Sequence, residues 1–176
     1  MIDPKTGAVV GVGYAHHEIH EGSSFKVCDV QNINTTTQKW IVTTPDSKTY
    51  AHMLFDAFCT GEMSVLVTEG ADRTGTTVLT PLNRRRVGTP PAATVIVHRD
   101  VSGGATDGAI ELEKVRVGAT DKFSAAISEH RDQNEYVLKP NTKYVMAVTT
   151  YADVNVSLHL DWYEHKDAEW SDRVKE

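Results

Sequence analysis

Between Val154 and Trp162 the chain alternates without a break. Val154, Val156, Leu158, Leu160 and Trp162 are apolar, and Asn155, Ser157, His159 and Asp161 between them are polar. A repeat of two sends every apolar side chain to one face of an extended chain, so this stretch predicts a β-strand with one buried face. Upstream, residues 144–151 are β-branched and aromatic with neither Gly nor Pro, and the short link Ala152-Asp153 predicts antiparallel pairing with the first strand. Pro140-Asn141 separates residues 144–151 from the short run 136–139, and the expectation is a three-stranded meander.

The same signals recur along the rest of the chain. Residues 25–30 and 40–44 read as strands joined by the polar connection QNINTTTQ at 31–38. Residues 49–60 fit helical as well as extended spacing, because Met53, Leu54, Ala57 and Phe58 recur at helical intervals. Flanking turn signals and the presence of Tyr50, Phe55, Phe58 and Cys59 favour a strand, with Gly61-Glu62 as a hairpin turn into MSVLVT at 63–68. Shorter strands are expected at 76–80, 93–98, 109–117 and 123–127, and the slip at Glu113-Lys114 reads as a bulge. Residues 81–91 and 102–108 read as loops and 129–134 as a charged turn. Strands at intervals of about 8–12 residues, with no long helix, are the pattern of an all-β sandwich or barrel. That domain spans residues 25–165. Residues 1–24, interrupted by Gly7, Gly11, Gly13 and Gly22, read as an extended N-terminal arm. Its Val9, Val10 and Val12 suit an edge strand or a contact with a neighbouring subunit. Residues 166–176 read as a short, mostly charged tail with one anchor, Trp170.

Composition narrows the partners more than the fold. A chain of 176 residues, 40% hydrophobic and 24% charged, is of single-domain size with room for a substantial core. Its net charge of -6 argues against a nucleic-acid partner held through phosphate neutralisation. No apolar run approaches the roughly 20 residues of a membrane helix, and the first residues lack the basic and apolar regions of a secretory signal. Synthesis in a cytoplasm is expected, and with it free, buried thiols at Cys28 and Cys59.

Two clusters carry candidate chemistry. His16-His17-Glu18-Ile19-His20-Glu21 is the most site-like run, and in an extended segment His16, Glu18 and His20 share a face. A cupin-like metal centre needs further ligands, for which Glu21 and His52 or His98 are the nominees, but the glycine and proline framework of that motif is absent. A hydrogen-bonding segment at a subunit boundary is the favoured reading, with no metal or cofactor. No serine or cysteine sits in a nucleophile motif, and Glu111 and Glu113 read as a solvated strand face. Gly103, Gly104 and Gly108 lack the Lys-Ser/Thr and the helix that a phosphate cradle requires. Arg84, Arg85 and Arg86 form the one basic cluster, read equally as an interface and as a solvated loop.

Residues 15–25 (AHHEIHEGSSF), residues 82–86 (LNRRR), and residues 138–144 (LKPNTKY) with the strand end DWYEH at 161–165 resemble the head decoration, or capsid-stabilising, proteins of tailed bacteriophages. The resemblance implies a jelly-roll-like antiparallel β-sandwich that assembles as a homotrimer and bridges major capsid protein subunits. It implies a place on the capsid exterior after synthesis in the host cytoplasm, no direct nucleic-acid or membrane partner, and no catalytic residues. His16, His17, Glu18, His20, Arg84, Arg85 and Arg86 then fall at subunit or capsid contacts. The alternatives are a collar, head-to-tail or fibre-associated virion protein, including one that binds glycans, and a cupin-like metal-dependent enzyme.

Overall fold

In the computed structural model, which describes residues 14–118, 125–127 and 135–166, the alternating stretch lies within β12 (Asp153–Lys166). Val156, Leu158, Leu160 and Trp162 are fully buried. β12 lies between β1 (Ser24–Asn34) and β3 (Thr49–Cys59), antiparallel to both. β6 (Leu82–Asn83) extends this sheet beyond β1, and β10 (Tyr136–Val137) and β9 (Ala125–Ile127) pair with β3. The second sheet runs β5 (Thr74–Leu79), β7 (Ile96–Ser102), β2 (Thr37–Thr43), β11 (Lys143–Thr150), β4 (Met63–Glu69), β8 (Ile110–Val117), again antiparallel. The protein is thus an all-β sandwich of two antiparallel sheets, with one short helix, α1 (Tyr14–Glu21), among the described residues. The expected arm at 1–13, the start of the strand at 123, the turn at 129–134 and the tail from 167 lie outside the described residues. No described helix is long and apolar enough to cross a membrane.

The expected meander does not form. β11 pairs with β2 and β4, and β10 pairs with β3, so 136–139, 144–151 and β12 are not hydrogen-bonded neighbours. β11 is buried on both faces and paired on both edges within the second sheet. Tyr144, Met146 and Val148 enter the main core, while Val145 and Ala147 form a small cluster with Ile41 on the other face. The expected meander would also have placed 144–151 centrally; what differs is that β2 and β4 occupy both hydrogen-bonding edges of β11 and leave none for β12. Tyr151-Ala152 therefore carries the chain across to the other sheet. Gly61-Glu62 does the same between β3 and β4, and is not a hairpin turn.

Smaller departures follow from parity. Phe25 and Val27 point inward on β1, so Cys28 points out and is exposed; Cys59 is buried as expected, and both thiols are free. The β4–β8 register shifts between Val67, opposite Glu113, and Thr68, opposite Glu111. The extra residue is Leu112, one position before the expected slip. Asp29, inward on β1, accepts hydrogen bonds from Trp40 Nε1 of β2 at 2.8 Å and from Arg99 of β7 at 2.9 Å, and so pins one sheet to the other.

On the outer face of the second sheet, Ala71 packs against the Ile41, Val145 and Ala147 cluster. Its loop is tied to residues 104–107 by Asp72, which accepts from the amides of Ala105 at 3.0 Å and Thr106 at 2.7 Å. Asp107 accepts from Arg73 Nε at 2.7 Å and from Lys39 on β2. The two amides hold the Asp72 carboxyl below its ordinary range. Burial pushes Asp107 up, but hydrogen bonds from Lys39 and Arg73 bring it down overall. Carboxyls depressed in the folded state stabilise it above the unfolded value of about 3.9, and that contribution is lost as pH falls through the lower folded values. Amide-exchange protection at Ala105 and Thr106 is expected to fall below about pH 4 in the wild type, and Asp72→Asn is expected to weaken it already at neutral pH. In the core, Leu160→Ala is expected to cost about 2–5 kcal/mol in urea denaturation.

Candidate functional site

Of the segments singled out in the sequence, residues 15–25, 82–86 and 161–165 meet at one end of the sandwich, where β1 begins and β12 runs past it, with Ser24 opposite Tyr163. Residues 14–21 are not extended: they form α1. Gly22 ends the helix at φ 82°, and the amides of Gly22 and Ser23 return to the carbonyls of Ile19 at 3.2 Å and Glu18 at 3.0 Å. A glycine in this left-handed region is a common way to close a helix, because a Cβ is costly there. The helix corrects the expected shared face of His16, Glu18 and His20. Neighbours on a helix are four apart, so His16 meets His20, with their Nε2 atoms 3.0 Å apart and their rings edge to face at 4.6 Å. Glu18 turns inward, is buried, and accepts from the Ser23 hydroxyl. His17 lies beside Glu18 at 3.6 Å and Glu21 at 3.9 Å.

The arginine loop is built on one buried amide. Asn83 Nδ2 donates to the carbonyls of Gly22 at 2.6 Å and Pro91 at 3.0 Å, and its Oδ1 accepts from the Arg85 amide at 2.9 Å. The Arg84 amide donates to Ser24 O at 2.8 Å. One side chain therefore joins the end of α1 to both ends of the loop. Arg84 also pairs with Asp161 of β12 at 3.1 Å. Arg85 and Arg86 are exposed and form no ion pair among the described residues.

Glu164 closes the same end from β12. Its buried carboxylate accepts from the Thr94 amide and hydroxyl, the Val95 amide at 3.1 Å and Trp162 Nε1 at 2.9 Å. Its own amide donates to Ser23 O at 2.9 Å. A buried carboxylate surrounded by donors is satisfied without a cation, which suits a structural latch.

The nominated cupin-like set does not assemble. Glu21 is on α1, His98 is on β7 of the second sheet, and His52 is on β3 of the first, stacked on Tyr163 at 4.6 Å and His165 at 4.5 Å. The LKPNTKY segment is a locked turn. Asn141 takes φ 48°, Thr44 Oγ1 donates to Lys139 O at 2.7 Å, and Tyr144 OH accepts from the Lys139 amide at 2.8 Å while donating to Glu69 at 3.1 Å. Burial pushes the Tyr144 phenol well above its ordinary range, with Glu69 adding to the shift.

Sequence reasoning missed Asn83 and Glu164 as organisers. It also missed a depression of ≈ 250 Å³ on the outer face of the second sheet, lined by Lys39, Arg73 and Asp100. The available signal for these two residues was local: Asn83 precedes the arginines, and Glu164 puts a carboxylate at an inward position of β12, where the sequence otherwise places apolar side chains. The chain matches no protein-family model, no curated protein and no solved structure.

Asn83→Ala strands two carbonyls and one amide. It is expected to cost about 1–3 kcal/mol in urea denaturation and to accelerate amide exchange at Arg84 and Arg85 while exchange in β11 stays unchanged.

Proposed function

We propose that the protein is a noncatalytic virion component that decorates and stabilises an icosahedral bacteriophage capsid, binding major capsid protein subunits from outside as a homotrimer. The observation that carries this reading is convergence. Of the stretches that resemble the decoration family, 15–25, 82–86 and the strand end 161–165 are joined through Asn83, Gly22, Ser24 and Asp161 at one end of the sandwich, while 138–144 forms a separate turn. Exposed Arg85 and Arg86 stand on that end of a chain whose net charge is -6. Guanidinium groups bind carboxylates in a matched, two-point geometry, so the complement of this loop is an acidic protein surface.

The strand order supports the jelly-roll expectation. Within the two six-stranded sheets, β1-β12-β3-β10 faces β2-β11-β4-β8, with β5, β6 and β7 inserted in the chain between β4 and β8 and β9 pairing with β3. On this reading the work is mechanical. A ligand that binds the assembled shell stabilises it by mass action, and several modest contacts from one oligomer combine through effective concentration.

The charge-reversed pair Arg85→Glu and Arg86→Glu is expected to weaken co-sedimentation with undecorated capsids by at least about tenfold, or about 1.4 kcal/mol, with an unchanged thermal midpoint. Capsid binding equal to wild type would remove this loop and the reading built on it.

A further inference from the structure

We propose that His16 and His20 form a two-point chelate for a borderline divalent transition-metal ion, of the Zn²⁺, Ni²⁺ and Cu²⁺ class, on the exposed face of α1. The two Nε2 atoms already face one another at 3.0 Å. Two imidazole nitrogens bound at about 2.0–2.1 Å to one ion lie about 2.9 Å apart when the bonds are at right angles and about 3.4 Å apart at the tetrahedral angle. The observed separation fits adjacent positions of a square or octahedral ion, which are geometries of Cu²⁺ and Ni²⁺. Helical spacing produces this arrangement, because side chains four apart stack on one face.

The chemistry requires no co-reactant. The rings now share one hydrogen bond, Nε2–H to Nε2, so one ring carries its proton on Nε2 and the other accepts. On chelation both Nε2 lone pairs point to the ion and each ring keeps its single proton on Nδ1; the donor ring changes tautomer and no net proton is released. Among the described residues, neighbouring groups do not complete the shell. Glu18 is buried against Ser23, and Glu21 lies beside His17. Among the described residues no group of three His, Cys, Asp or Glu could hold an ion. The remaining positions go to water or to a further donor. The inference stands apart from the capsid reading, since it uses only the side chains of α1.

The test is calorimetric titration of the full chain with NiCl₂, CuCl₂, ZnCl₂ and MgCl₂. One ion per chain in the micromolar range is expected for the first three, tightest for Cu²⁺, with none for Mg²⁺. His16→Ala and His20→Ala are each expected to weaken binding at least about tenfold. His17→Ala, whose ring lies beside Glu18 and Glu21 and outside the His16–His20 contact, is the control and is expected to bind as wild type does. No binding of any transition ion would overturn the proposal. So would equal losses in all three variants, or wild-type binding in both His16→Ala and His20→Ala.

Discussion

The inward row of Val156, Leu158, Leu160 and Trp162 fixes where everything else sits. Burying each such side chain is worth about 1.5–3 kcal/mol, and a one-residue slip of β12 would turn all four outward. β12 is hydrogen-bonded on both edges, to β1 and β3, so its register sets theirs. Fixing Ser24 opposite Tyr163 then fixes the point from which α1 departs and onto which the Asn83 loop folds. The candidate site is loop and helix in character, but its position is a consequence of strand register.

Polar groups rather than apolar burial hold that end closed. Asn83 and Glu164 are buried, and each polar atom of their side chains meets a specific backbone or side-chain partner. A buried polar group costs free energy unless paired, so such sites tolerate one arrangement and reject the rest. The arginine loop is therefore ordered before any partner arrives, which lowers the entropy lost on binding. Arg84 and Asp161 contribute differently: a half-exposed ion pair adds little stability, but it holds Arg84 on β12 and leaves Arg85 and Arg86 to face outward.

How much of this was legible in the sequence depends on what a residue pattern encodes. Alternation names a face, and the face of β12 was readable; it does not name a neighbour. Pairing β11 with β12 followed from closeness in sequence, whereas the continuous run Tyr144 to Val148, apolar throughout, already marked a strand covered on both sides. Cys28 was assigned by residue type, yet parity from Val27 sends it outward. Asn83 and Glu164 were invisible as organisers because one residue in a loop, or at the end of a strand, carries no periodic signal. The resemblance drew attention to segments 15–25 and 82–86, but not to the amide that joins them.

The helix at residues 14–21 shows how a change of period changes chemistry. With a repeat of two, His16, Glu18 and His20 form a mixed row of imidazole and carboxylate; with 3.6, Glu18 rotates into the body and two imidazoles are left face to face. Eight residues give two turns, too few for an apolar stripe to announce the helix, and the reliable cue was Gly22 just past its end. The same glycine lends its carbonyl to Asn83, so the histidine pair and the arginine loop hang from one atom group. An ion held by two neutral imidazoles keeps its full charge of two. Bound on α1, it would add to Arg85 and Arg86 at the same end and strengthen attraction to an acidic surface without moving the fold. On that argument the two proposals reinforce one another electrostatically while depending on different side chains.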